Sequence, residues 1–391
     1  VWHQYQNIWT YAKDVNNGIV EVYNEHMFRA TDNYRLEWEL SENGVKKLFG
    51  KVDELNVPAQ MRMNVQLGYK QADINRLNGE VILTVRYTLK SDEPLLKAGH
   101  CVAYNQFIVK AMDYAANIKQ QMRMDMPKAA PAIDLESRTI TGADFKVSFD
   151  GRGRLCSYIY NGKQMISKPI FPQFYRAMTE NDYGVRKRHA NSVYYHSWKA
   201  FRNAETYMDL FLMHTEGELV VVTAEYSYAE IGMQVKMRYE IDGDGYISAC
   251  MSMKAGKPKF DIKGMLRFGV EFAMPDSFNN IEFYGAGATE SYADRKSGTP
   301  VGIYRQSVDE QFCMTYSRPQ ESGAHCDLRY WTITDQAGTG LKVISEQPFS
   351  ATAIPYPMSQ IDIHSHDYRK FPQLLEADGN TYVNIDKAQS G

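Results

Sequence analysis

At 391 residues the chain is too long for one ordinary domain, and two or three are expected. Its 44% hydrophobic and 23% charged residues are those of a soluble globular protein, and no apolar run approaches the ~20 residues that a membrane span needs. A net charge of −3 gives no electrostatic case for nucleic acid or an anionic membrane as partner.

Aromatic residues make up 13% of the chain, a level that suits sheets and sugar-binding faces alike. The first residue is Val1 and no signal peptide precedes Trp2, so the chain reads as an excised piece. Cys101, Cys156, Cys250, Cys313 and Cys326 are odd in number and scattered, without a C-x-x-C. This is neither a zinc pattern nor a disulfide framework, and most are expected to be buried thiols.

Alternation of apolar and polar residues starts early. Ile19–Met27 reads as a strand. Leu36, Trp38 and Leu40 alternate with polar neighbours and run into a Glu42-Asn43-Gly44 turn. Met61, Met63, Val65 and Leu67 form another strand, Val81 to Leu89 a further one, and Cys101–Val109 the next. About seven short strands and no strong helix in the first ~120 residues predict an immunoglobulin-like β-sandwich without its disulfide. The stretch Met112–Thr141, with Pro127 and Pro131, reads as a linker with room for one short helix. Strands resume at Phe145, Val147 and Phe149, before an Asp150-Gly151-Arg152-Gly153 turn. Val235 to Ile241, Asp242-Gly243-Asp244-Gly245 and Ile247 to Met253 predict a hairpin, and Leu266 to Phe272 another strand. The rest of the chain suggests one large sandwich, so the fold class is all-β.

Four clauses stand out. They are Phe174-Tyr175-Arg176-Ala177-Met178-Thr179-Glu180-Asn181-Asp182-Tyr183-Gly184; Tyr284 to Arg295; Tyr316 to Gly323 with His325 and Arg329; and Tyr382-Val383-Asn384-Ile385-Asp386. Together they resemble the last domain of the large bacterial β-galactosidases of glycoside hydrolase family 2. Tyr34-Arg35-Leu36-Glu37-Trp38 and Ala98-Gly99-His100 are similar to clauses of the domain before it. The resemblance implies residues 1–122 as an immunoglobulin-like fourth domain, 123–132 as a linker, and 133–391 as a β-supersandwich related to galactose mutarotases. It implies a parent that hydrolyses terminal β-D-galactosides with retention. The two catalytic glutamates would lie in a barrel domain outside this chain, about 5–5.5 Å apart. It further implies a homo-oligomer, a galactoside substrate, and magnesium and sodium bound in the barrel with no cofactor or metal in this part. A periplasmic location is the expectation from glycan-degrading relatives, with the cytoplasm open. The family's Asn-Ile-Asp clause leads to a sugar-stacking Trp, so a continuation beyond Gly391 that supplies one is expected.

The candidate site residues follow. His325, Asp327, Arg329 and Trp331 are spaced to share one strand face, where an indole, a guanidinium and an imidazole suit a sugar. Glu290 joins them as a carbohydrate-facing candidate. The alternative is structural: Arg329 pairs with Glu290 or Glu321 and Trp331 packs between sheets. Asn181, Asp182 and Gly184 are the candidate pocket-rim loop. No catalytic residue is expected here, and Glu25 of Asn24-Glu25-His26 reads as an exposed strand residue. His364 and His366 with Asp362 make a weak metal pattern, and Asp242 to Gly245 reads as a turn rather than a calcium loop. Two other readings stay open: a stand-alone carbohydrate-binding or complementing small subunit, and a mutarotase-like epimerase using His325 and Glu290.

Overall fold

Strands with alternating burial carry both parts of the molecule. The computed structural model describes residues 2–121, 129–177, 200–202, 204–257, 265–312, 322–361 and 375–389. The chain divides into two compact units. The first comprises Val1–Asn117 with Tyr284–Ala288 and Arg295–Ile303, and the second comprises Ile118–Phe283, Thr289–Asp294 and Tyr304–Gly391.

Seven strands build the first unit: β1 (Ile8–Asp14), β2 (Ile19–Asn24), β3 (Tyr34–Glu42), β4 (Val45–Val52), β5 (Arg62–Gln66), β6 (Val81–Leu89) and β7 (Cys101–Lys110). They form a three-stranded sheet, β1-β2-β5, and a four-stranded sheet, β4-β3-β6-β7. In β3 the side chains of Tyr34, Leu36, Trp38 and Leu40 point inward, and in β6 those of Val81, Leu83, Val85, Tyr87 and Leu89. These meet Ile8, Val20, Val22 and Val65 of the other sheet in one core. Period-two alternation in the sequence therefore becomes a sandwich whose inner faces are dry, and β6 is buried on its outer face as well. The turn between β3 and β4 has both central residues, Asn43 and Gly44, at positive φ (48° and 79°). That geometry matches the twist of a two-residue hairpin and explains the Asn-Gly pair.

Among the described residues, helix is confined to short pieces such as Gln71–Ile74 and Tyr114–Gln121. The second of these lies in the stretch read as a linker. Strand structure then starts at Ala132, earlier than the Phe145 at which the alternation is legible.

The second unit begins with β8 (Ala132–Asp134), β9 (Thr139–Thr141), β10 (Phe145–Phe149), β11 (Leu155–Tyr160) and β12 (Lys163–Gln164), a five-stranded antiparallel sheet. After β13 (Lys168–Gln173) come β14 (Tyr207–Glu216), β15 (Leu219–Tyr228), β16 (Met233–Ile241) and β17 (Ile247–Ala255), a four-stranded meander in that order. The remaining strands are β18 (Arg267–Pro275), β19 (Asn280–Ala286), β20 (Val301–Ser307), β21 (His325–Thr334), β22 (Gly340–Ile354) and β23 (Asn380–Gln389). With β13 they make a seven-stranded sheet, β13-β18-β23-β22-β21-β19-β20. A single core runs through the unit, lined by Val147, Phe149, Val220, Val222, Val235, Met237, Met274, Leu328, Trp331 and Val383 among others. The β16–β17 turn is held by Asp242, whose Oδ1 accepts from the backbone N–H of Asp244 (2.9 Å) and Tyr246 (3.0 Å). Its carboxylate thus serves the hairpin. Burial raises its pKa, partly offset by those backbone donors.

The expectation of mostly buried thiols needs correction. Cys326 is buried, Cys101 and Cys156 are half-buried, and Cys250 is exposed; none of the four is in a disulfide among the described residues, and Cys313 lies outside them. Cys250 is exposed because it sits on the outer face of a strand at the sheet's margin.

Candidate functional site

Two of the sequence clauses converge in the second unit. The Oε2 of Glu290 accepts from the backbone N–H of Gly323 at 3.3 Å. The next residue, Ser291, donates its backbone N–H to the Ala324 carbonyl at 2.8 Å, and its Oγ accepts from the Cys326 N–H at 3.0 Å. Ser291, Ser322 and His325 are all buried. Residues more than thirty apart in sequence are therefore stitched into one turn-and-strand unit at the start of β21. Gly323 has φ +80°, and a Cβ there would stand 2.8 Å from the Gln311 carbonyl oxygen, so glycine is required at this close approach.

The β21 side chains do not share one face. The pairing of β21 with β22 shifts twice, between His325 and Leu328 and between Leu328 and Tyr330. Asp327 adopts φ +52° within that irregular stretch. The first shift puts one extra residue in β21 and changes the parity of its side chains there; the second puts its extra residues in β22. Leu328 and Trp331 are both buried in the same core despite their odd spacing. Trp331 is 0% exposed and its Nε1 has no hydrogen-bond partner among the described residues. His325 is 1% exposed, with its ring 4.3 Å from that of Phe283. Arg329, 5% exposed, donates from Nη1 to the Asp327 carbonyl at 2.7 Å. Tyr330 faces the other way: its hydroxyl donates to Glu282 at 2.9 Å, and Thr332 on the same side donates to the Glu282 carbonyl.

Other buried polar residues belong to the same clauses and escape a search for strand faces. Arg176, 1% exposed, donates to the Ala177 carbonyl at 3.0 Å. Arg267, in β18, lies with its Nε 3.1 Å from Asp386 Oδ1 and its Nη1 3.0 Å from Asn384 Oδ1. The closing Asn384-Ile385-Asp386 clause is thus a buried anchor for the last strand. Gln311, 5% exposed, has neither amide atom hydrogen-bonded among the described residues. Its proximity to Gly323 carries no signature in the sequence.

Asn181, Asp182 and Gly184 lie outside the described residues, as do His364, His366, Asp362 and Glu321. Among the described residues no three His, Cys, Asp or Glu side chains gather to hold a metal ion. In the first unit, Asn24 is buried and its amide bonds the Arg29 and Val57 carbonyls, while Glu25 is exposed, just past β2, and accepts from Trp9 Nε1 at 2.7 Å.

The sequence matches two family descriptions in order: "Beta-galactosidase, domain 4" over residues 20–110, and "Beta galactosidase small chain" over residues 141–391. The chain belongs to the β-galactosidase small-chain family. The kinship read from the four clauses holds. Similar curated proteins include the β-galactosidase of Priestia megaterium, 28% identical over 389 residues, covering 98% of this chain and 35% of that protein. That of Halalkalibacterium halodurans is 28% identical over 95% of this chain and 35% of its own length. For Streptococcus thermophilus the figures are 28%, 100% and 36%. The chain therefore spans about a third of the length of the curated relatives it matches. It corresponds to the domain-4 and small-chain portion of a β-galactosidase. Solved structures align weakly: the GH36 α-galactosidase AgaB from Geobacillus stearothermophilus covers 66% of the chain at a TM-score of 0.32 and 9% identity, too low to compare folds.

Proposed function

We propose that this chain is the non-catalytic rear portion of a retaining β-galactosidase, one that cleaves terminal β-D-galactose from β-D-galactosides. The observation that carries the reading is the ordered pair of family matches over a chain that is a third of its relatives' length. The acid/base and nucleophile carboxylates, with magnesium and sodium, belong on this reading to a barrel in the remainder of the parent. This portion supports that barrel and contributes the rim of the sugar pocket, with Asn181, Asp182 and Gly184 as its loop. The domain limits of 1–122 and 133–391 are part of the proposal. They are supported by the gap between the matched ranges and by the division of contacts at Asn117 and Ile118.

Among the β21 candidates, burial favours a supporting role for Trp331 and Arg329 over direct sugar stacking. Glu290 is half-buried and His325 buried, and both lie where the two clauses meet. There they can set the shape of the Ser322-Gly323 turn.

The test is catalytic. Purified chain is incubated with an aryl β-D-galactoside and release of the phenol is followed. No turnover is expected. Turnover that persists through purification and is lost in Glu25→Gln would overturn the proposal. A second reading, a separate complementing subunit, is favoured by the words "small chain" in the family description. The parent gene separates the two: a barrel in the same reading frame supports the first, and a stop and start before Val1 supports the second.

A further inference from the structure

On the face of the seven-stranded sheet turned away from the core, polar side chains form a row across β22, β21, β19 and β20: Lys342, Tyr330, Glu282 and Arg305. Thr332 stands directly opposite Lys342 in the β21–β22 register. All five belong to the second unit. Both oxygens of Glu282 are engaged. Its Oε2 takes Arg305, with Nε at 2.7 Å and Nη2 at 2.6 Å, and its Oε1 accepts from the Tyr330 hydroxyl at 2.9 Å.

Lys342 bonds instead to a neutral group. Its Nζ donates to the Gln121 amide oxygen at 2.7 Å and stands 5.0 Å from the centroid of the Tyr330 ring. Other lysines differ: Lys51 and Lys97 stand 3.1 and 2.6 Å from a carboxylate, and Lys168 and Lys236 2.6 and 3.5 Å. An opposite charge that close holds the proton on the amine. Lys342 is exposed as a residue, yet partial burial of its amine pulls its pKa below the usual lysine value, against the opposing pull of the Glu282 charge. Each unit by which an amine's pKa falls multiplies its neutral fraction about tenfold at neutral pH. A lysine with a depressed pKa and an accessible amine is the kind that condenses with carbonyl compounds.

We propose that Lys342 is a modification site for aldoses, its Nζ attacking C1 of the open-chain sugar and holding it as an imine. The N–C1 bond forms as the carbonyl π bond breaks. The C1 oxygen then leaves as water, taking the two hydrogens of the neutral amine, and a C=N bond remains. Nothing is oxidised or reduced, and no co-reactant is needed. The surroundings suit a polyol rather than an apolar aldehyde. The Tyr330 ring offers a flat face, and the Gln121 amide, the Thr332 hydroxyl and the Arg305 guanidinium border the amine with donors and acceptors. The inference rests on the galactosidase reading only for the source of the sugar, since a parent that cleaves galactosides releases an aldose beside this face's own chain.

Reductive trapping tests it. The full chain is incubated with D-galactose and cyanoborohydride at neutral pH, where hydride from the reagent fixes the imine as a secondary amine, and peptides are mapped by mass spectrometry. The adduct on Lys342 is expected to form several-fold faster than on Lys146 or Lys254, exposed lysines of other strands. Arg305→Gln changes a side chain that is 80% exposed, so the fold is retained. It leaves Glu282 Oε2 able to turn to Lys342, and the preference is expected to fall to the level of the other two lysines. Trace labelling with acetic anhydride ranks the same amines without a sugar. Equal labelling of the three lysines by galactose overturns the proposal. So does a preference that survives Arg305→Gln. A Lys342 that leads with the anhydride but not with galactose is a reactive amine without an aldose site, and overturns it equally. Galactose is supplied and no galactoside is cleaved, so failure here leaves the catalytic reading untouched, and failure of that reading leaves this test intact.

Discussion

Arg267 and Asp386 meet where neither side chain has any exposed surface. Such pairs gain little over an apolar replacement, but breaking one strands the other charge in a medium that solvates it poorly. Arg267 also donates to Asn384, so one guanidinium holds two residues of the last strand. Arg267→Met and Asp386→Asn are each expected to destabilise the second unit by about 3–5 kcal/mol. The two changes should be strongly non-additive in a double-mutant cycle, because they share one interaction. Urea unfolding followed by circular dichroism measures this. Additive losses would mean that each residue is held by something other than its partner. The sequence showed Asn384 and Asp386 as a clause worth marking. It did not show their partner, because Arg267 sits 117 residues earlier and only the β18–β23 pairing brings it near.

At the scale of elements, the most legible strands are those with one dry face. β3 and β16 alternate cleanly, and the turns after them carry Asn-Gly and Asp-Gly chemistry. β6 alternates in sequence but is buried on both faces. β21 was legible as a strand and misleading as a face. Between Leu328 and Tyr330 it advances two residues while its partner runs from Phe349 back to Ile344. Those extra residues lie on β22, while the shift between His325 and Leu328 adds one residue to β21 itself, at Asp327 with its positive φ, and so separates His325 from the later residues in parity. The same strand pair depends on a close approach further along. A Cβ on Gly340 would lie 1.9 Å from the Ile333 carbonyl oxygen and 2.7 Å from Thr334 Cα, both backbone atoms. Backbone cannot swing aside as a side chain can. Gly340→Ala is therefore expected to cost about 1–3 kcal/mol, the range for overpacking. Gly151→Ala, in the β10–β11 turn with nothing within 4 Å of its Cβ, is the matched control and should leave the melting temperature nearly unchanged. Equal effects of the two would show that the β21–β22 ladder can yield at that point.

For the molecule as a whole, the sequence carried kinship further than geometry. In the Tyr284 to Arg295 clause, Ser291 is held by its N–H to the Ala324 carbonyl and by its Oγ to the Cys326 N–H. Those contacts do not say which side chains meet a ligand. The two units each have a hydrophobic core, and no residue is common to both. Leu36 is 0% exposed in the first core and Ile333 is 0% exposed in the second. Truncating either to alanine leaves a cavity and should cost about 2–5 kcal/mol. Stability is cooperative within a core and need not be between cores, since a multidomain chain departs from two-state unfolding. Calorimetry is expected to resolve two transitions, with Leu36→Ala lowering one and Ile333→Ala lowering the other. Each substitution then names the transition of its own unit. A single transition lowered by both would mean that the chain unfolds as one cooperative body, its separate cores notwithstanding.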